Sequence, residues 1–187
     1  NREGYTADFA RMHAFFQGKQ GTFVHVEPRM SLTAANADEW LRNAPGTEGA
    51  LALAMLKVIV DEGLQAPGAD LTTLRAAVRA ADVEAAATAS GVPAETIKHV
   101  ARDLAKAKAG LVLGGGMAAT STASTDALVA VNLLNAAIGA VGTRVRFGSA
   151  SPFSRVSPYS DMVALTQAMT AGQIEVLVLV DVNPVYA

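Results

Sequence analysis

The sequence predicts an α/β fold, with αβα Rossmann-like layers around a mainly parallel sheet. Three observations predict it. Segments with helical periodicity alternate with short apolar runs, and one such run, Gly110–Leu113, is followed by the turn Gly114-Gly115-Gly116 and then another helical segment. Half the residues are hydrophobic (51%), yet only 5% are aromatic and 38 are Ala, which suits alanine-lined helices packed on aliphatic strands.

The elements are read in order. Thr6–Gln17 places Phe9, Met12 and Phe16, with Ala10 and Ala14, at helical spacing, and Gly18 and Gly21 end the segment. Thr22–Val26 is β-branched and aromatic, so a strand is expected there, with Glu27 at its carboxyl end and Pro28 blocking continuation. A polar loop holding Ser31, Thr33, Asn36 and Asp38 leads to Trp40, Leu41 and Pro45-Gly46. Thr47 is a suitable N-cap for a helix over Glu48–Glu62, whose Leu51, Leu53, Met55, Leu56, Val58, Ile59 and Val60 surround the axis and predict deep burial. Gly63–Asp70 breaks the pattern before two short helices, Leu71–Ala80 and Val83–Ser90.

Pro93 suits the first helical position of Ala94–Lys108, where Ile97, Val100, Ala101 and Leu104 share one face and Lys98, Arg102 and Lys106 the other. Gly110–Leu113 reads as a short buried strand, Asp126–Ala140 as a second buried helix, and Gly142–Pro158 as a long surface loop of the kind that is functional or forms an interface. Ser160–Ala171 reads as a helix and Ile174–Val182 as a last buried strand, with Asn183-Pro184 at its carboxyl edge. Alternation of this kind implies a parallel sheet covered on both faces. The 187 residues are expected to form one αβα unit with a sub-boundary near 142–158, and both ends read as cut from a larger chain.

Composition excludes several functions. A net charge of -2 argues against nucleic-acid binding, which needs concentrated positive charge. The longest apolar stretch, Gly49–Val60, is interrupted by Lys57 and is shorter than the roughly 20 residues of a membrane span. The absence of Cys removes thiolate nucleophiles, cysteine-held iron–sulfur clusters and zinc ribbons from these residues. His13, His25 and His99 lack a second ligand at helical spacing and read as ordinary histidines.

Ligands of open α/β sheets bind beyond the carboxyl ends of the strands. Three such edges stand out: Glu27-Pro28-Arg29, Gly114-Gly115-Gly116 and Asp181-Val182-Asn183-Pro184. Gly114, Gly116 and Ala119 fit the spacing of a nicotinamide-dinucleotide fingerprint, but the next candidate strand, Thr143–Phe147, carries Arg144 and Arg146 where an acid should hold the ribose. Glu27 and Arg29 read equally as an internal ion pair or as ligands, Arg29 for a phosphate and Glu27 for a guanine edge. Asp38-Glu39 and Asp61-Glu62 are adjacent, do not face each other on a helix, and read as solvated charges instead of acid/base couples.

The run Val24-His25-Val26-Glu27-Pro28-Arg29 with Thr33, Ala37-Asp38 and Trp40, then Pro45-Gly46-Thr47-Glu48 and the Ala-Leu-Ala-Leu-Ala-Met helix, resembles the dimethyl sulfoxide reductase family of molybdopterin oxidoreductases. Gly91-Val92-Pro93-Ala94-Glu95, Asn132-Leu133-Leu134-Asn135, Gly139-Ala140-Val141-Gly142 and Val180-Asp181-Val182-Asn183-Pro184 follow in the family order. The resemblance implies an internal segment of a larger subunit, whose strand-end loops hold the guanine nucleotides of a molybdenum bis-guanine-dinucleotide cofactor. By resemblance the nucleotide residues are Glu27, Pro28, Arg29, Thr33, Gly46, Thr47, Glu48, Gly114, Gly115, Gly116, Asn183 and Pro184, as ligands or as vestiges of them. It supplies no catalytic residue and no metal ligand here, and implies iron–sulfur clusters elsewhere in the parent chain.

Cofactor-holding members of that family usually carry Asp where Glu27 and Glu48 stand and Gly where Asp181 stands, and a glycine-rich tail where Arg144-Val145-Arg146-Phe147 follows Gly142. With these departures the chain is most similar to the molybdopterin-oxidoreductase-like iron–sulfur subunit of alternative complex III. That likeness implies a periplasmic or extracytoplasmic segment in a membrane-bound respiratory complex that passes electrons from quinol to a cytochrome c or copper protein, with other subunits as partners and no molybdenum cofactor of its own. The alternatives are the cofactor-binding middle domain of an active molybdenum oxidoreductase and, from another class, a nicotinamide-dinucleotide enzyme.

Overall fold

A computed structural model describes residues 2–13, 20–116, 123–147 and 157–180. The chain divides into two compact units, Asn1–Arg146 and Phe147–Ala187.

In the first unit, α1 (Arg2–His13) precedes a parallel pair of strands, β1 (Val24–Val26) and β2 (Glu39–Leu41), in the register Val24–Glu39, His25–Trp40, Val26–Leu41. The connection between them contains α2 (Leu32–Ala35), capped by Ser31 Oγ, which accepts the Ala34 N–H at 3.2 Å. Asp38 ties the pair together, because its carboxylate accepts the Phe23 N–H at 2.7 Å while its own N–H donates to the Phe23 carbonyl at 2.9 Å.

The core sits around α3 (Glu48–Asp61), which packs against α4 (Leu71–Ala77), α5 (Val83–Ser90), α6 (Ala94–Lys106) and α7 (Ser124–Ala137). Leu51, Leu56 and Ile59 of α3 are buried with Ile97 of α6 and Leu134 of α7. Small residues set the spacing: a Cβ on Gly49 would lie 3.3 Å from Ala127 Cα, so α3 and α7 approach almost backbone to backbone. Asp70 and Asp82 cap α4 and α5 with their carboxylates, and Gly91 ends α5 at φ +76°. Arg102 of α6 donates from Nε at 2.9 Å and Nη2 at 2.7 Å to the two oxygens of Glu62 just beyond α3.

In the second unit the described element is α8 (Tyr159–Thr170), and none of its residues is buried.

The chain is thus α/β with a small parallel sheet, and several expectations need correction. The polar loop before Trp40 contains α2, and Glu39–Leu41 is a strand, since three residues are too short to show a period. Gly110–Leu113 is extended but pairs with no strand among the described residues. Val112 N–H and C=O are instead held by the Asn135 side chain, at 3.0 and 2.8 Å. Thr143–Phe147 is no strand; a single bridge joins Val141 and Val145 around a turn. Residues 174–180 form no ladder either, and 181–182 of that expected strand lie outside the described residues. An apolar run becomes a parallel strand only where a neighbour supplies the hydrogen bonds.

Thr47 does not cap α3 with its side chain; its Oγ1 donates to the Ala44 carbonyl at 2.6 Å. Pro93 takes the N-cap of α6, one position earlier than expected. The second buried helix, α7, buries one face only, leaving Leu128 and Val129 exposed. The adjacent acids keep solvent access, as expected, and also find partners: Asp61 pairs with Lys57 Nζ at 2.9 Å, Glu62 with Arg102, and Asp38 with the Phe23 N–H.

Candidate functional site

The carboxyl end of β1, the start of α3 and the extended segment after α6 surround one apolar cleft with about 120 Å³ of open space. Val26 forms one wall, Leu51 and Met55 of α3 with Leu128 of α7 form others, and Leu113 to Gly115 form the rim. Glu48 is the one charged residue in its lining among the described residues.

Glu48 is aimed by a buried amide. Asn43 is 4% exposed, and its Nδ2 lies 3.0 Å from Glu48 Oε1, 2.8 Å from the Ala44 carbonyl and 3.2 Å from Thr47 Oγ1. Its Oδ1 is buried with no hydrogen-bond partner. The turn Asn43–Glu48 closes because Gly46 takes φ +81°, a conformation open chiefly to Gly.

Glu27 leaves β1 with its carboxylate only 14% exposed and 3.3 Å from His25 Nε2. Hydrogen bonding from Ser31, and less so from His25, holds that carboxyl below the ordinary range against the opposing effect of burial. The Glu27 carbonyl accepts the Trp40 indole N–H at 2.9 Å, which fixes the strand end to β2. Arg29 is exposed in the bend that follows, and Thr33 is exposed on α2.

The three glycines differ. A Cβ on Gly114 would meet Leu128 Cδ2 at 2.7 Å, so this glycine serves close packing on α7. Gly115 (φ +136°) and Gly116 (φ +62°) face open space and are needed for their backbone conformation. At the amino end of β1, His13 Nε2 is 3.2 Å from Asp38, and Phe9 stacks on His13 with centroids 5.2 Å apart.

The structure therefore gathers Glu48, Gly114 and Gly115 at one cleft beside the end of β1, while Arg29, Thr33 and Gly116 are outside its lining. Asn183, Pro184, Asp181 and the Ala119 of the dinucleotide spacing lie outside the described residues. Asn43, Ser31 and Asn135 were not legible as site residues in the sequence. The signal at Asn43 is its place just before Pro45-Gly46-Thr47, where a short amide can bond the turn that follows. Among the described residues no cluster of three His, Asp or Glu side chains is placed to hold a metal, and no helix is long and apolar enough to cross a membrane.

No protein-family model matches the chain. It is 26% identical, over 96% of its length, to the menaquinone reductase molybdopterin-binding-like subunit of Nitratidesulfovibrio vulgaris, and covers 28% of that protein. It is 34% identical over 56% of its length to the thiosulfate reductase molybdopterin-containing subunit of Salmonella typhimurium, covering 14% of it. In structure it matches acetylene hydratase from Pelobacter acetylenicus with a TM-score of 0.58 and 25% identity, across 63% of this chain and 17% of that one. The chain thus spans less than a third of the relatives it matches. Likeness in sequence and likeness in fold converge: the chain is similar to a segment of the molybdopterin oxidoreductases.

Proposed function

We propose that the chain is a scaffold segment in the electron-transfer subunit of a membrane-bound respiratory complex, at its periplasmic or extracytoplasmic face, and that it holds no molybdenum cofactor. The observation that carries this reading is the match along 96% of the chain to a protein named as a molybdopterin-binding-like subunit of a menaquinone reductase. Iron–sulfur clusters would lie in other parts of the parent chain, partner subunits would carry the membrane attachment, and electrons would run from quinol to a cytochrome c or copper protein.

The residues present fit a guanine dinucleotide poorly. Its diphosphate is anionic, yet among the described residues the charged group in the cleft is the Glu48 carboxylate, and Arg29 stands outside the lining. Glu27 and Glu48 each already accept from a neighbour, His25 and Asn43, and acceptor capacity is left on both carboxylates. No reaction step is assigned to this segment.

The test is the content of the purified parent subunit. Iron without molybdenum or pterin is the expected result, and stoichiometric molybdenum with pterin overturns the reading. The thiosulfate reductase relative, named as molybdopterin-containing, favours a second reading in which Arg29 and the two glutamates bind nucleotide. Under that reading Arg29→Ala releases the cofactor, whereas full retention removes Arg29 from the ligand set.

A further inference from the structure

We infer that Glu27 and Glu48 serve as internal staples of the two strand-end loops, with Asn43 as the positioning residue for Glu48, in place of the nucleotide contacts that their positions suggest. The inference builds on the reading of the site given above.

Two independent pieces of geometry carry it. Asn43 is buried and commits its Nδ2 to three acceptors of the following turn: the Ala44 carbonyl, Thr47 Oγ1 and Glu48 Oε1. Thr47, freed from capping α3, closes the same turn by donating to Ala44. One buried amide therefore fixes both the turn and the carboxylate, and an Asn whose Oδ1 is left buried and unpartnered is tolerated only if its other end does enough. Glu27 repeats the logic at the other loop, with His25 on its carboxylate and Trp40 on its carbonyl. The Glu48 carboxylate is held by the turn that precedes it and the Glu27 carboxylate by His25 of β1, both short-range contacts within the chain.

The experiment uses the full parent subunit in its complex. Asn43→Ala, Glu48→Gln and Glu27→Gln are compared with the natural protein by hydrogen exchange over residues 24–51 and by the guanine and pterin released on denaturation. Asn43→Ala is expected to speed exchange of the turn amides, including Leu51 N–H on Thr47 O, about ten-fold or more, as expected for losing a hydrogen bond to a charged group. Glu48→Gln should give a smaller change in the same amides, and the double variant less than the product of the two. Glu27→Gln should act on residues 24–41 alone.

Exchange unaltered in Asn43→Ala and Glu48→Gln overturns the staple role. So does a natural subunit that releases guanine while Glu27→Gln and Glu48→Gln release none. If the natural subunit and both variants release it equally, the staple role stands and the cofactor-free reading falls. Should Asn43→Ala fail to fold, the near-isosteric Glu48→Gln decides the question by itself.

Discussion

In the helical layer Leu56 and Ile59 of α3 are fully shielded from solvent, whereas in the extended segment 110–116 Leu111 is 44% and Leu113 82% exposed. Both stretches carry runs of aliphatic residues. A helix makes its backbone hydrogen bonds within itself, so its apolar surface needs only a neighbouring side chain, and α3 finds four helices. An extended segment makes none within itself. Here Gly110 is buried with its carbonyl accepting from Arg144 Nε and Val112 is held by Asn135, while Leu111 and Leu113 remain uncovered. Asn135, itself buried, substitutes for a strand on one edge by engaging both the N–H and the C=O of Val112.

This contrast breaks most readily in the helical layer. Ile59→Ala removes methyl groups from the centre of the core and should cost about 2–5 kcal/mol, read as a lower denaturant midpoint. Asn135→Leu keeps the volume but strands the two polar groups of Val112, costing about 1–3 kcal/mol and speeding exchange through residues 110–114. A smaller loss than for an exposed Asn132→Leu control would remove the strand-substitute role. Gly114→Ala should cost no more than about 1 kcal/mol, since the atom in its way is the end of the exposed Leu128 side chain, which can move aside. Much of that loss should disappear in a Leu128→Ala background, and a strictly additive double variant would show that the glycine is there for another reason.

Acid should loosen the helical layer before the extended segment. Hydrogen bonding from Arg102 holds Glu62 below its ordinary 4.5, and the Thr73 hydroxyl and backbone hold Asp70 below 3.8. Both folded values are depressed, so their contribution is present above the ordinary values and is lost as pH falls through the lower folded ones. Thermal midpoints from pH 6 to pH 3 should drop less in Arg102→Met than in the natural chain. The smallest effect belongs to Lys57→Ala, which breaks an exposed pair with Asp61 and should change stability by no more than about 0.5 kcal/mol.

Much of the helical layer was legible. Val83–Ser90 has the bounds expected of it, and the helices expected over Glu48–Glu62 and Ala94–Lys108 end within two residues of theirs, because their period and stop signals are local. The sheet was less so. Thr22–Val26 led to β1, but its partner β2 is three residues of mixed polarity that become a strand only because Asp38 anchors both chains to Phe23. At the candidate site, Glu48 and Gly114–Gly115 were legible from their motifs. Asn43 was not, since an Asn before a turn has no spacing that marks it as the partner of a carboxylate.

The sequence by itself determined that this is an α/β chain with a deeply buried helix beginning at Glu48, and its motifs pointed to the molybdopterin oxidoreductases it resembles. Only the tertiary structure decided which apolar runs found a strand partner, that Asn135 stands in for one, and that both strand-end glutamates are engaged inside their own loops. The physical reason is range. Helix periods and caps act across a few residues, while a parallel ladder or a buried amide depends on groups that meet only after the chain has folded.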